Sequence, residues 1–181
     1  DFTVLGGTVG FTTATKIAHA MRLALTSRSP MVGFVDTAGG RIQEGSGTYS
    51  LMFYEHIISS GVIPQISCIL GSCAGGGCYS PALTDFIFMV ENISQMFITG
   101  PQVIKAVTGE EVSSEDLGGA DAHNRISGVA HFKSVSEEEC FTTIRRLLSY
   151  LPANNLDDPP ACEPAEPDLK AAELLELIPS N

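Results

Sequence analysis

The sequence predicts an α/β fold built on a parallel sheet, and three observations predict it. Two apolar runs, "PMVGFVD" at 30–36 and "PQISCIL" at 64–70, read as strands buried on both faces, as in sheets crossed by helices. Segments with helical periodicity separate them. Each run empties into a glycine-rich turn, the kind of strand-to-helix junction where α/β sheets bind ligands. The 181 residues, 44% hydrophobic and 17% charged, suit one folded domain with a sizeable core.

Taken in order, residues 2–5 alternate weakly and are expected as a short strand. Ile17, Ala20, Met21, Ala24 and Leu25 recur at helical spacing, which predicts an amphipathic helix over 12–27. After the strand at 30–36 come a glycine-rich loop at 37–47, a helix near 48–60, the strand at 64–70, a second glycine turn and a short helix around 77–83. That is the same unit twice, with right-handed crossovers expected. "FIFMV" and "QMFIT" add two strand-like segments. Pro101 suits the first residue of a helix running to about 107, Ser113 to Asp116 has the form of a helix start, and a further helix runs from near Ser136 to Tyr150 and Leu151. Beyond it the composition shifts: residues 151–181 hold six prolines and seven acidic residues against the single Lys170. Such a segment does not build a packed core. Residues 1–151 are therefore expected as the folded domain and 152–181 as an acidic, proline-rich linker or tail, in which "LKAAELLELI" alone regains helical propensity.

The net charge of −11, with only ten Lys and Arg, argues against nucleic acid. No apolar run reaches the roughly 18 residues of a membrane span, and the first residues lack a signal-peptide pattern. The expected location is the cytoplasm, or the mitochondrial matrix in a eukaryote. Cysteines 68, 73, 78, 140 and 162 form no C-x-x-C pair, so neither a disulfide framework nor a zinc site is supported, and most read as small core residues. No metal is expected. Asp1 has no Met before it, and the chain is expected to be a piece of something longer.

The two glycine clusters, Gly39-Gly40 and Gly75-Gly76-Gly77, carry the chemistry the sequence offers. Glycine permits positive φ and lets a ligand approach the peptide N–H closely. Adjacent N–H groups at a helix start can form an oxyanion hole, worth roughly 3–4 kcal/mol per donor in a transition state. The plain alternative is that these glycines only let the chain turn tightly. No Lys accompanies them, so neither is a phosphate loop. A rival reading takes Gly71-Ser72-Cys73-Ala74-Gly75 as a nucleophile elbow with cysteine, followed in hydrolase order by Asp121 and His131. His19 and His56 fall inside helix patterns and read as surface or core residues, and His123 and His131 are not at metal spacing.

Several segments together resemble the amino-terminal half of biotin-dependent acyl-CoA carboxyltransferases: "DFTVLGG", "RIQEG", "SGVIPQIS", "CAGG", "YSPALTDF", "FITGPQVIKAVTGE", "LGGADAH", "SGVAHF" and "LLSYLP". The resemblance is to the beta subunit of propionyl-CoA carboxylase, the large transcarboxylase subunit and the decarboxylases of methylmalonyl-CoA and glutaconyl-CoA. It runs in order over residues 1 to about 152.

This resemblance implies a crotonase-like fold, a superhelical stack of β-β-α units. It implies transfer of a carboxyl group between carboxybiotin and a short-chain acyl-CoA, propionyl-CoA or methylmalonyl-CoA, through a thioester enolate. Biotin arrives on a separate carrier, its ureido nitrogen takes the α-proton, and the protein supplies oxyanion holes rather than an acid or base. Family correspondence places "AGG" on Ala74, Gly75 and Gly76, whose N–H groups would hold the thioester oxygen. The family's "DSGGAR" falls on Asp36, Thr37, Ala38, Gly39, Gly40 and Arg41. Here Ala38 replaces glycine, Gly40 replaces alanine, and Ser72 stands where proline is usual, so an alanine strained by positive φ at 38 is an expectation to test. Lys16, Arg22 and Arg28 are the candidates for the CoA phosphates. The implied partners are acyl-CoA, a biotin carboxyl carrier, a carboxyl-terminal half completing the active site, and further subunits of an oligomer. Two alternatives stay open: a non-catalytic scaffold subunit and a hydrolase using Cys73.

Overall fold

The computed structural model describes residues 2–165, with Leu174, Leu177 and Ile178 beyond them. Its elements follow in the order α1 (Phe11–Thr26), β1 (Met31–Thr37), α2 (Ser50–Ser59), β2 (Gln65–Ala74), α3 (Tyr79–Ala82), β3 (Phe86–Val90), β4 (Gln95–Phe97), α4 (Pro101–Thr108), α5 (Ser114–Gly118), β5 (Phe132–Ser134) and α6 (Glu137–Leu148). The sheet is parallel throughout, ordered β1-β2-β3-β5, with β4 also on β2. β2 runs four residues past the expected strand. Its first half pairs with β3 through Ile66 to Ile69, and its end pairs with β4 through Ser72 to Ala74. One long strand thereby links successive layers.

β2 and β3 are buried on both faces, as their apolar runs predict, whereas β1 lies at the sheet edge and is not: its Phe34 and Asp36 are exposed. Ile66, Cys68, Phe88 and Val90 face α6 through Cys140 and Ile144, while Ile69, Cys73, Ile87, Met89 and Met96 pack on the opposite side. A side chain the size of Ile or Phe buried in this way contributes about 1.5–3 kcal/mol. Cys68 and Cys140 bring their sulfurs to 3.2 Å inside the core, and all four cysteines of the described core are free thiols. Both expected caps form: the Ser113 hydroxyl accepts the Asp116 N–H and the Ser136 hydroxyl accepts the Glu139 N–H, each worth about 1 kcal/mol.

α1 buries Ala14, Ala18 and Met21, one residue per turn. The Arg22 guanidinium crosses to Glu55 on α2, with Nε donating to Oε2 at 2.8 Å. His56 is buried and neutral, because burial holds its pKa down. Its Nδ1–H donates to Gln65 Oε1 (2.7 Å) and its Nε2 accepts from the Ser80 hydroxyl (2.6 Å), so it is a satisfied core residue.

One expected element is absent. Residues 2–5 form a turn running into a 3-10 segment at Leu5–Gly7, not a strand. Leu5, Gly6 and Gly7 take φ values of 52, 64 and 62°, which no extended strand allows. A methyl on Gly7 would stand 2.7 Å from the Asp36 carbonyl, so the turn packs directly on β1. β5, at "FKS", lies outside the expected elements; three residues are too few for a periodicity to show. After α6 the chain folds back. Asn155 N–H donates to the Val62 carbonyl and Asn154 Nδ2 to the Arg28 carbonyl. Most of "LKAAELLELI" lies outside the described residues.

Candidate active site

β1 and β2 are parallel neighbours, with Thr37 opposite Cys73, so the loops that leave them emerge side by side. Their glycines touch. Gly39 holds φ 104°, and a methyl there would lie 2.5 Å from the Ala74 carbonyl oxygen and 3.6 Å from Gly76 N. Behind them Thr37 closes the first loop. Its hydroxyl donates to the Gly7 carbonyl (2.7 Å) and accepts the Gly39 N–H (3.1 Å). The register slips between Val35 and Thr37, and the intervening Asp36 reaches across to β2, where its Oδ1 accepts the Ser72 N–H. Gly71 makes room for it, since a methyl there would be 2.6 Å from Asp36 Cγ. Gly71→Ala should therefore displace Asp36 and cost about 1 kcal/mol, the worth of the lost hydrogen bond. Urea denaturation reads the cost, and it should shrink when Asp36→Ala is combined with it.

Between the loops lies a pocket of about 360 Å³. Ala38, Gly40 and Arg41 line it from the first loop, Gly75 and Gly76 from the second, with Ile42, Gly45 and Tyr49 completing the wall. A hollow of similar size, about 350 Å³, under Leu151 to Asn155 carries neither glycine loop. In the second loop, Gly75 (φ 57°) and Gly76 open a 3-10 turn at Gly75–Cys78. The first N–H groups of such a turn have no partner within it. In the first loop, Ala38 N–H donates to Gly6, Gly39 N–H to Thr37 and Arg41 N–H to Val9. The Gly39 N–H is therefore engaged within its own loop, which makes Gly40 the first-loop candidate for an external acceptor. Ala38 has no positive φ, so the expected strain at this position is not there. Gly39 carries the positive φ instead.

The charged residues are mostly engaged. Arg41 Nη2 donates to the Thr8 carbonyl (2.9 Å) and Nη1 to Glu44 Oε1 (2.7 Å), while Glu44 Oε2 accepts the Phe11 N–H at the start of α1. These contacts stitch the first loop to α1, and the Phe11 N–H bond followed by Arg41 holds the Glu44 carboxyl below its ordinary range. Lys16, Arg22 and Arg28 do not line the pocket. Lys16 is exposed on α1, Arg22 is committed to Glu55, and Arg28 stands just past the end of α1 with its carbonyl held by Asn154.

The elbow reading of Cys73 fails on geometry. Cys73 is fully buried in β2 and does not line the pocket. The adjacent Cys78 thiol, followed by burial, holds its thiol well above the ordinary range, the opposite of an activated nucleophile. The supposed partners are elsewhere: Asp121 pairs with Lys133 and His131 Nδ1 accepts the Ile87 N–H. Cys73→Ala should keep turnover within about tenfold, whereas losing an essential nucleophile costs about 10³-fold or more. His123 is likewise occupied, with Nδ1 at Ser127 Oγ (2.8 Å) and Nε2 at the Met96 carbonyl (2.5 Å). Among the described residues no group of three His, Cys, Asp or Glu could hold a metal ion, and no helix is long and apolar enough to cross a membrane.

The sequence reading missed Tyr49, 7% exposed, which forms the floor of the pocket. Its ring edge lies 3.3 Å from the methyl position on Gly40 and 3.5 Å from that on Gly76. Its hydroxyl is buried beside Thr37 without a well-aligned partner among the described residues, and burial pushes its pKa up to about 12. Between pH 10 and 12 the unfolded chain has released a proton that the folded chain keeps, so stability falls as pH rises. By pH 12 the loss from this group is about 2 kcal/mol. Urea midpoints from pH 9 to 11.5 should drop more steeply for the wild type than for Tyr49→Phe; parallel curves would exclude the effect.

The model of the carboxyl transferase domain matches residues 1–181. The chain belongs to the carboxyl transferase domain family. It is 54% identical to methylmalonyl-CoA decarboxylase subunit alpha of Veillonella parvula and to the propionyl-CoA carboxylase carboxyltransferase subunit of Haloferax mediterranei, covering 100% of this chain and 36% of each relative. The domain thus spans about a third of the length of these curated relatives. Among solved structures it is similar to transcarboxylase 12S, crystallised as a hexamer with methylmalonyl-CoA and methylmalonic acid, at TM-score 0.87 and 46% identity over 99% of this chain and 35% of that one. The geranyl-CoA carboxylase beta subunit of P. aeruginosa follows at TM-score 0.73 and 26% identity, over 83% of this chain and 29% of that one. The domain shares the crotonase-like fold of these carboxyltransferases, as the resemblance implied.

Proposed function

We propose that this domain holds the acyl-CoA partner in carboxyl transfer between a biotin carrier and a short-chain acyl-CoA, with propionyl-CoA or methylmalonyl-CoA as substrate. The observation that carries the reading is the meeting of both glycine loops at one pocket. Gly75 and Gly76 present N–H groups from one side and Gly40 from the other. When the α-proton leaves, charge develops on the thioester oxygen, and donors already fixed around it stabilise that charge without reorganising. None of the pocket-lining side chains is a carboxylate, histidine or thiol, so a proton acceptor has to come from outside it. Biotin, on a separate carrier and seated by a second half, supplies the carboxyl group and that acceptor.

Arg41 fixes the first loop through Thr8 and Glu44. Lys16 and Arg28 remain the proposed phosphate contacts, and Arg22 joins them only by leaving Glu55. The similarity to a transcarboxylase crystallised with methylmalonyl-CoA supports this substrate class, and the decarboxylase and carboxylase names of the relatives support the reaction in either direction. The pocket lined by both glycine loops supports this reading over a scaffold role. We assign the enzyme to a multisubunit assembly in the cytoplasm, or in the matrix of a eukaryote.

The test is calorimetric binding of propionyl-CoA to the full-length protein carrying this domain, followed by carboxyl transfer with its biotin carrier. Binding with turnover supports the reading, binding without turnover favours the scaffold, and no binding overturns the reading.

A further inference from the structure

Tyr49 faces two cavities. It closes the pocket between the glycine loops, and it also lines a second cavity of about 200 Å³ bounded by Val9, Ile17, Met52 and Gly77. Its ring edge lies against Gly40 and Gly76, while its hydroxyl stands 3.7 Å from the methyl position of Gly77, at the border of the second cavity. The ring lines both cavities and is held there: it stacks on Phe53 with centroids 5.5 Å apart and planes at 24°. Position 40 fits this arrangement, since the alanine that the related family carries would put a methyl 3.3 Å from the ring. Glycine at 40 and tyrosine at 49 thus make one device in this chain.

We infer that the Tyr49 side chain is a partition that sets how long an acyl chain the pocket accepts. The inference rests on the acyl-CoA reading above. With the thioester oxygen at the Gly75 and Gly76 N–H groups, the acyl carbons extend toward the floor, and the floor is this ring. A short straight chain ends against it. A longer apolar chain needs the second cavity, where Val9, Ile17 and Met52 form an apolar wall opposite the polar Asp36, Thr37 and Ser80, and removing the ring that lines both cavities would join them along that apolar wall.

The experiment uses the full-length protein with its partners and compares kcat/KM and calorimetric affinity for propionyl-CoA and hexanoyl-CoA. Tyr49→Ala should raise the hexanoyl-to-propionyl ratio about tenfold or more, in keeping with the discrimination a hydrophobic pocket gives per methylene or two. Tyr49→Leu should shift it the same way by less, and Tyr49→Phe, which keeps the ring, should keep the preference. An unchanged ratio in a folded Tyr49→Ala protein, judged by its thermal transition, overturns the inference. A second measurement needs no variant. A crystal structure of the wild type with propionyl-CoA should place the terminal methyl within about 4 Å of the Tyr49 ring, and a methyl directed elsewhere overturns the partition whether or not the variants fold. Failure of the wild type to bind any acyl-CoA removes the underlying reading as well, whereas binding with Tyr49-independent chain length removes only the partition.

Discussion

Gly76→Pro will lower kcat for carboxyl transfer about 10²- to 10³-fold in the full-length enzyme while leaving acyl-CoA affinity within a few-fold. The substitution deletes the Gly76 N–H; its ring also crowds Gly75, which holds φ 57°, so the variant is read only alongside a thermal transition that shows it folded. Gly76 is the second residue of a 3-10 turn and has no positive φ, and proline is tolerated in a first helical turn, where the N–H has no partner within the helix. The added Cβ would meet the Tyr49 ring at 3.5 Å, an ordinary contact. What disappears is a donor whose value is greatest when charge builds on the thioester oxygen, which is why the loss falls on kcat and not on binding. The comparison to make is kcat, KM and the calorimetric dissociation constant for propionyl-CoA in both proteins. A proline variant with unaltered kcat would show that the oxygen is held elsewhere. A variant that loses affinity and kcat together would place the Gly76 N–H in ground-state binding.

Much of the fold was legible because buried parallel strands leave a strong signal. "PMVGFVD", "PQISCIL" and "FIFMV" all became strands, and the helices at 11–26, 50–59 and 101–108 fell within two or so residues of their expected bounds. Capping chemistry located α5 and α6, since Ser113 and Ser136 act within their own turn. What escaped depended on distant partners. "DFTVLGG" has the composition of a strand, yet it packs its turn on the Asp36 carbonyl, a contact some thirty residues away that no local pattern encodes. The site shows the same division. Glycine clusters after two strands pointed to the two loops that meet at the pocket, and the family resemblance placed the candidate donors of the second at Gly75 and Gly76, both of which line it. Composition could not show which first-loop N–H is free, because the Thr37 hydroxyl takes the Gly39 N–H only in the folded loop. Nor could it single out Tyr49, whose importance comes from lying against Gly40 and Gly76, nine and twenty-seven positions away in the chain. The basic residues of α1 illustrate the opposite error: Arg22 reads as a free surface cation until α2 brings Glu55 beneath it.

Gly39→Ala should damage stability and turnover together, because it strikes both loops at once. The residue holds φ 104°, outside the regions open to alanine, and the new Cβ would stand 2.5 Å from the Ala74 carbonyl oxygen. A backbone carbonyl cannot rotate away as a side chain would. It belongs to the last residue of β2, whose register with β4 is fixed at Ala74 opposite Phe97. The first loop must therefore yield, and yielding breaks the Gly39 N–H bond to Thr37, which in turn frees the Thr37 hydroxyl from its place between Gly7 and Gly39. Backbone strain and crowding of this kind cost about 1–3 kcal/mol each. The thermal midpoint should fall by several degrees, as about 2 kcal/mol does in a domain of this size. Turnover should fall further than stability, by about 10²-fold, if the proposed Gly40 and Gly76 donors act on one oxygen, because their loops would no longer meet. Differential scanning calorimetry and steady-state kinetics on the same preparation separate the two effects. Gly45→Ala is the control: it too carries a positive φ, 94°, but nothing lies within 4 Å of its methyl position, so it should show the strain without the collision. If Gly39→Ala behaved no worse than Gly45→Ala, the contact between the two loops would not be what aligns the donors.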